Sequence, residues 1–101
     1  MLGGLTLIED HKITKPIIRR FYSYNILVEK IATLKKFNLD CHQEESELLE
    51  LKKILTALPQ THREMFILHA IQKHPLKDIA LDYNVSIGVV RHKISEVYAR
   101  L

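Results

Sequence analysis

The sequence has one cysteine, three glycines and three prolines in 101 residues. Each scarcity excludes something. A lone Cys41 cannot build an internal disulfide framework, and it fits a reducing, cytoplasmic setting. So few turn residues leave little punctuation for an all-β fold. Long apolar runs are also missing, since nothing approaches the roughly 20 residues that a membrane span needs. The opening MLGGLTLIEDHK has no basic stretch before its apolar residues and meets Glu9 and Asp10 early, so no secretory leader is expected. At 11.8 kDa the chain has room for one small core.

Catalytic patterns are missing too. His11, His42, His62, His69, His74 and His92 form no HExxH and pair with no second cysteine, so no metal is expected. Gly3, Gly4 and Gly88 belong to no phosphate-binding loop, and Cys41 has no indicated base or orienting acid. The expectation is a protein without enzymatic activity, cofactor or membrane partner.

What is present is charge, and it is uneven. Residues 1–40 carry net +3, residues 41–57 net −2 and residues 58–101 net +2. A pI of 9.1 is compatible with a polyanionic partner but does not identify one.

Periodicity predicts an all-α bundle of about five helices. The first starts near Pro16, a residue favoured in a first turn, with Ile17, Phe21, Tyr24, Val28 and Ile31 on one face. Phe37–Asp40 interrupts it, and Asp40 with Gln43 has capping-box spacing. The second helix carries Leu48, Leu51, Leu55 and Leu58 on a stripe widened by Leu49 and Ile54, suited to core packing or helix-mediated pairing. Pro59 ends it. Thr61 and Glu64 read as a second capping box, opening a third helix that is apolar on several faces and central to the fold.

The last thirty residues hold the informative pattern. Pro75 stops the third helix, residues 76–82 make two turns, and a final helix runs from Gly88 to about Arg100. Such a pair joined by a short turn is a helix-turn-helix. Ala80 permits close approach, Asn84 suits a left-handed turn position, Val85 is expected to plug the core and Ser86 to cap the last helix. Val90, Ile94 and Val97 form its apolar stripe. The candidate DNA-binding residues are therefore Ser86, Gly88, Val89, Arg91, His92 and Lys93. Arg91 suits a guanine or a phosphate, Lys93 a phosphate, and His92 either; Gly88 and Val89 suit close backbone approach or a thymine methyl.

Residues 58–101 resemble region 4 of bacterial RNA polymerase sigma factors, especially the extracytoplasmic-function class. Leu58, Pro59, Arg63, Glu64, Phe66, Ile79, Ala80, Val85, Ser86, Gly88, Val90 and Arg91 match that pattern without a gap. VRHKISEVYARL is also similar to the LuxR/GerE-type helix-turn-helix. The sequence departs from the sigma pattern at Lys73, Pro75, Asn84 and Val89. The resemblance implies a module that binds the −35 promoter element and docks on RNA polymerase. Two segments are expected: residues 1–57, helical, for packing, partner binding or dimerisation, and residues 58–101, the DNA reader. Besides double-stranded DNA, the implied partners are RNA polymerase core or an anti-sigma-like protein, with homodimerisation through residues 17–58 as an option. The alternative is a protein-interaction module with little DNA affinity.

Overall fold

A computed structural model describes residues 15–101. In chain order these form α1 (Pro16–Tyr22), α2 (Tyr24–Lys36), α3 (His42–Thr56), α4 (Gln60–Phe66), a π-helical turn (Ile67–Ile71), α5 (Leu76–Tyr83) and α6 (Ile87–Arg100). Among the described residues there is no strand. None of their helices is long and apolar enough to cross a membrane. The opening stretch examined for a leader, with His11, lies outside the described residues.

The single helix expected from Pro16 is two. At Ser23 (φ −100°, ψ 13°) the backbone leaves the helix, and the Ser23 N–H bonds to the carbonyls of Arg19 and Arg20 at 3.1 and 3.2 Å. The two pieces have different partners: α1 packs on the π turn, α2 on α3. Hence Ile18 and Phe21 are buried on α1 and Ile31 on α2, while Val28, expected on the same face, is exposed.

Both capping boxes are replaced by other contacts. Asp40 Oδ1 accepts the His42 N–H at 3.0 Å, so it closes a local turn and Cys41 takes the N-cap position. Pro59, extended at ψ 149°, already supplies the start of α4, and the Arg63 N–H bonds to its carbonyl at 2.8 Å. The helix thus begins two residues before the start that Thr61 would have capped. Glu64 is left for another task, described below.

The third helix does not stay regular to His74. At the π turn the Gln72 N–H reaches back five residues to the Ile67 carbonyl at 3.0 Å. One extra residue in the turn lets Ala70 and Ile71 enter the core beside Met65 and Phe66. Lys73 (φ 62°) then reverses the chain, and its ammonium donates to the carbonyls of Tyr22 and Ala70 at 2.6 and 2.7 Å.

One core joins residues from Ile18 to Tyr98. At its centre Phe66 meets Phe21 edge to face at 5.2 Å and Tyr98 at 5.8 Å. Burial of such side chains contributes roughly 1.5–3 kcal/mol each. A polar seam runs beside them: the Tyr22 hydroxyl is hydrogen-bonded to the Tyr98 hydroxyl (2.6 Å) and to His69 Nε2 (2.9 Å). Leu51, Leu55 and Leu58 are buried as their stripe predicts, with Ile54 half-buried, but Leu49 faces outward.

Candidate nucleic-acid interface

The sharp bend between α5 and α6 is a backbone device centred on Asn84, which adopts φ 53°, ψ 47°. The Asn84 N–H bonds to the Leu81 carbonyl at 3.2 Å and the Val85 N–H to the Ala80 carbonyl at 3.0 Å. This crossed pair of bonds satisfies carbonyls that the end of α5 would otherwise leave bare. A left-handed residue is needed for it, and asparagine tolerates that region better than most. Ala80, nearly fully buried, allows the two helices to close.

Ser86 is extended at ψ 158°, and its Oγ accepts the Val89 N–H at 3.3 Å. It caps α6 as expected, although the helix starts at Ile87, one residue earlier than Gly88. Val90, Ile94 and Val97 are fully buried and fix which side of α6 faces outward. Val85 departs from its expected role. It is 38% exposed, because the bend is held by its N–H and does not need its side chain in the core.

Of the candidate contact residues, Ser86, Gly88, Val89, Arg91 and His92 are exposed, and Lys93 is half-buried. At about 100° per residue, Arg91, Gly88, His92 and Val89 follow one another around the outer arc of α6, while Ile87 falls on the side of the buried Ile94 and Tyr98. Lys93 stands at the edge of that arc, towards α4. Among the described residues neither Arg91 nor Lys93 forms an ion pair. The first turn of α6 carries no acidic side chain either, so the positive end of its dipole is uncompensated.

Three cations elsewhere are engaged. Arg20 bonds Glu47 at 3.3 Å and Glu50 at 2.6 Å, Lys30 lies 3.4 Å from Glu44, and Lys35 lies 2.8 Å from Glu45. The carboxylates of α3 thus hold Arg20 of α1 and Lys30 and Lys35 of α2.

Two clasps that set the pose of the α5–α6 unit carry no local sequence mark. The Tyr83 hydroxyl donates to Glu64 Oε1 at 2.6 Å, tying α5 to α4. That bond holds the Glu64 carboxyl below its usual range, while burial, with the same carboxylate's help, pushes Tyr83 up to about 12. The second clasp joins α6 to α4 through Glu96 Oε1, 3.0 Å from His62 Nε2 and 3.7 Å from His92 Nε2. The His62 hydrogen bond keeps Glu96 below the ordinary carboxylate range, so it stays ionised at neutral pH. Among the described residues no cluster of His, Cys, Asp or Glu is arranged to hold a metal ion. Cys41 is buried, and burial pushes its thiol up, away from thiolate chemistry.

Among curated proteins and solved structures nothing matches the chain. The family model for sigma-70, region 4 matches residues 48–101, more than half of the sequence. It takes in the second half of α3 together with α4, the π turn, α5 and α6, the elements that build and hold the bend. The chain therefore belongs to the sigma-70, region 4 family, whose members serve transcription as DNA-binding modules associated with RNA polymerase.

Proposed function

We propose that residues 58–101 read promoter DNA, with α6 lying in the major groove and residues 1–57 acting as a helical support or partner-binding segment. One observation carries this reading. Arg91 stands exposed near the start of α6 with no ion pair among the described residues, although most basic side chains of α1 and α2 are held by α3. A guanidinium so placed can take a guanine edge bidentately. Lys93 serves a phosphate, as does the uncompensated N-terminus of α6 near Ser86 and Gly88. His92 and Val89 complete the contact arc.

The test is titration of fluorescent duplexes at several salt concentrations. Arg91→Ala should cost about 1–3 kcal/mol on the preferred duplex and relax its sequence preference. Lys93→Ala should weaken all duplexes alike and lower the salt slope by about one. Binding that ignores both substitutions and salt would dismiss this assignment.

A second reading is favoured by Ile26, Phe37, Leu39 and Leu49, all more than half exposed on the α2–α3 hairpin and its connecting loop. These suit a protein partner: RNA polymerase core, an anti-sigma-like protein, or a second copy paired through residues 17–58. Sedimentation at high concentration tests the last option, and a strict monomer eliminates it.

A further inference from the structure

α6 carries a single acidic side chain, Glu96, and it stands on the face that turns outward. At about 100° per residue it falls between His92 and Val89, one turn further along the contact arc. The fold does not bury it: the side chain is 47% exposed. Two imidazoles from two helices converge on one of its oxygens. His62 Nε2 of α4 lies 3.0 Å from Glu96 Oε1, and His92 Nε2 of α6 lies 3.7 Å from the same atom. An ionised carboxylate only accepts, so His62 donates through its Nε2–H, whereas 3.7 Å is too long for a hydrogen bond from His92. The other charge acting on Glu96 is Lys93, next to His92 in the chain. Arg63 and Glu64 of α4 are turned elsewhere, to the Thr56 and Leu58 carbonyls and to the Tyr83 hydroxyl. Among the described residues Lys77, Asp78 and Asp82 of α5 form no ion pair with His62, His92 or Glu96.

Resting on the reading of α6 as the DNA-contacting helix, we propose that protonation of His62 and His92 around Glu96 switches α6 from a weaker to a tighter hold on DNA. Imidazole is the side-chain group that ordinarily changes charge near neutral pH. With both rings neutral, the outer surface presents Arg91 and Lys93 against an ionised Glu96, which repels the phosphates beside it. With both rings charged, the carboxylate is cancelled from two sides and the His62 hydrogen bond becomes charge-assisted. Glu96 is also what lets two imidazolium groups stand side by side, since without it their like charges repel. DNA affinity therefore rises as pH falls through the imidazole range, and binding takes up protons. His62 and Glu96 are positioning residues in this device: the His62 side chain is 17% exposed and acts through Glu96, not on a phosphate of its own.

The experiment is duplex binding by the full chain at about pH 5.5 and about pH 8, on either side of the imidazole range, at one ionic strength and with folding checked by circular dichroism. Each imidazolium should add about two- to fivefold, as one exposed charge pair does, and the two together about tenfold. Calorimetry in two buffers of different ionisation heat should show net proton uptake. Glu96→Gln, which keeps the shape and an acceptor oxygen, should tighten binding about two- to fivefold at the higher pH and shrink the ratio between the two conditions. His62→Gln should shrink that ratio as well, an effect that a DNA contact by His92 alone would not produce. Equal affinity at both pH values, or a ratio that either substitution leaves untouched, overturns the proposal and leaves α6 as the reading helix. Failure to bind any duplex at either pH overturns the reading of α6 itself.

Discussion

Phe66 joins α1 to α6 through two ring contacts. It is fully buried and meets Phe21 of α1 at 5.2 Å and 82°, and Tyr98 of α6 at 5.8 Å and 90°. Truncating a buried phenylalanine to alanine costs about 3–5 kcal/mol. Two edge-to-face pairs, each worth about 0.5–1.5 kcal/mol beyond burial, place Phe66→Ala in the upper half of that range. A domain of this size holds roughly 5–15 kcal/mol in all, so this variant has little margin. Phe66→Leu is the cleaner probe: it keeps most of the volume, loses both ring pairs and should cost about 1.5–3 kcal/mol. Urea unfolding followed by far-ultraviolet circular dichroism measures it. A double-mutant cycle with Phe21→Leu should return a coupling of about 0.5–1.5 kcal/mol. A loss below about 0.5 kcal/mol with no coupling would show that α1 does not share this core, and two separate transitions would say the same.

Other consequences are quicker to state. Asn84→Gly should raise stability by up to about 1 kcal/mol and Asn84→Val lower it by about 1–2 kcal/mol, because of the left-handed backbone there; equal thermal midpoints would contradict this. Ser86→Ala should cost about 1 kcal/mol by leaving the Val89 N–H without its cap, read from the same melts. Tyr83 binds its proton more tightly folded than unfolded, so its contribution is complete below about pH 10 and is lost as pH rises towards about 12. Tyr83 should therefore ionise late in a phenolate absorbance titration, as should Tyr24, which burial also raises, and a Tyr83→Phe variant that leaves the late phase unchanged would remove the clasp to Glu64.

Helix placement was legible wherever one residue enforces a backbone state. Pro16, Pro59 and Pro75 mark helix starts or ends, Asn84 marks the bend, and Ser86 caps α6. The Val90, Ile94 and Val97 stripe likewise oriented α6 correctly, because all three are buried. Features decided by distant partners were not legible. The break at Ser23 exists because α1 and α2 pack on different neighbours, and no residue there forbids a continuous helix. Glu64 has the spacing of a local cap, yet its carboxylate serves Tyr83, nineteen positions along the chain. Val85 looks like a core plug by hydropathy, but only its N–H is needed. For the candidate contact arc, sequence order alone placed Arg91 and His92 outside. That Arg91 and Lys93 form no ion pair among the described residues is a matter of tertiary arrangement, which sequence order does not carry.

The widened loop of backbone at Ile67–Ile71 holds one more amino acid than a regular coil of the same height. It works as stored length between Phe66 and the reversal at Lys73. Removing one position there would let the coil tighten, with Met65 and Phe66 still anchored upstream. Adding one would have to push Lys73 off the Tyr22 carbonyl it grips. Gene variants of this chain should accordingly accept a one-codon loss in that stretch more readily than a one-codon gain.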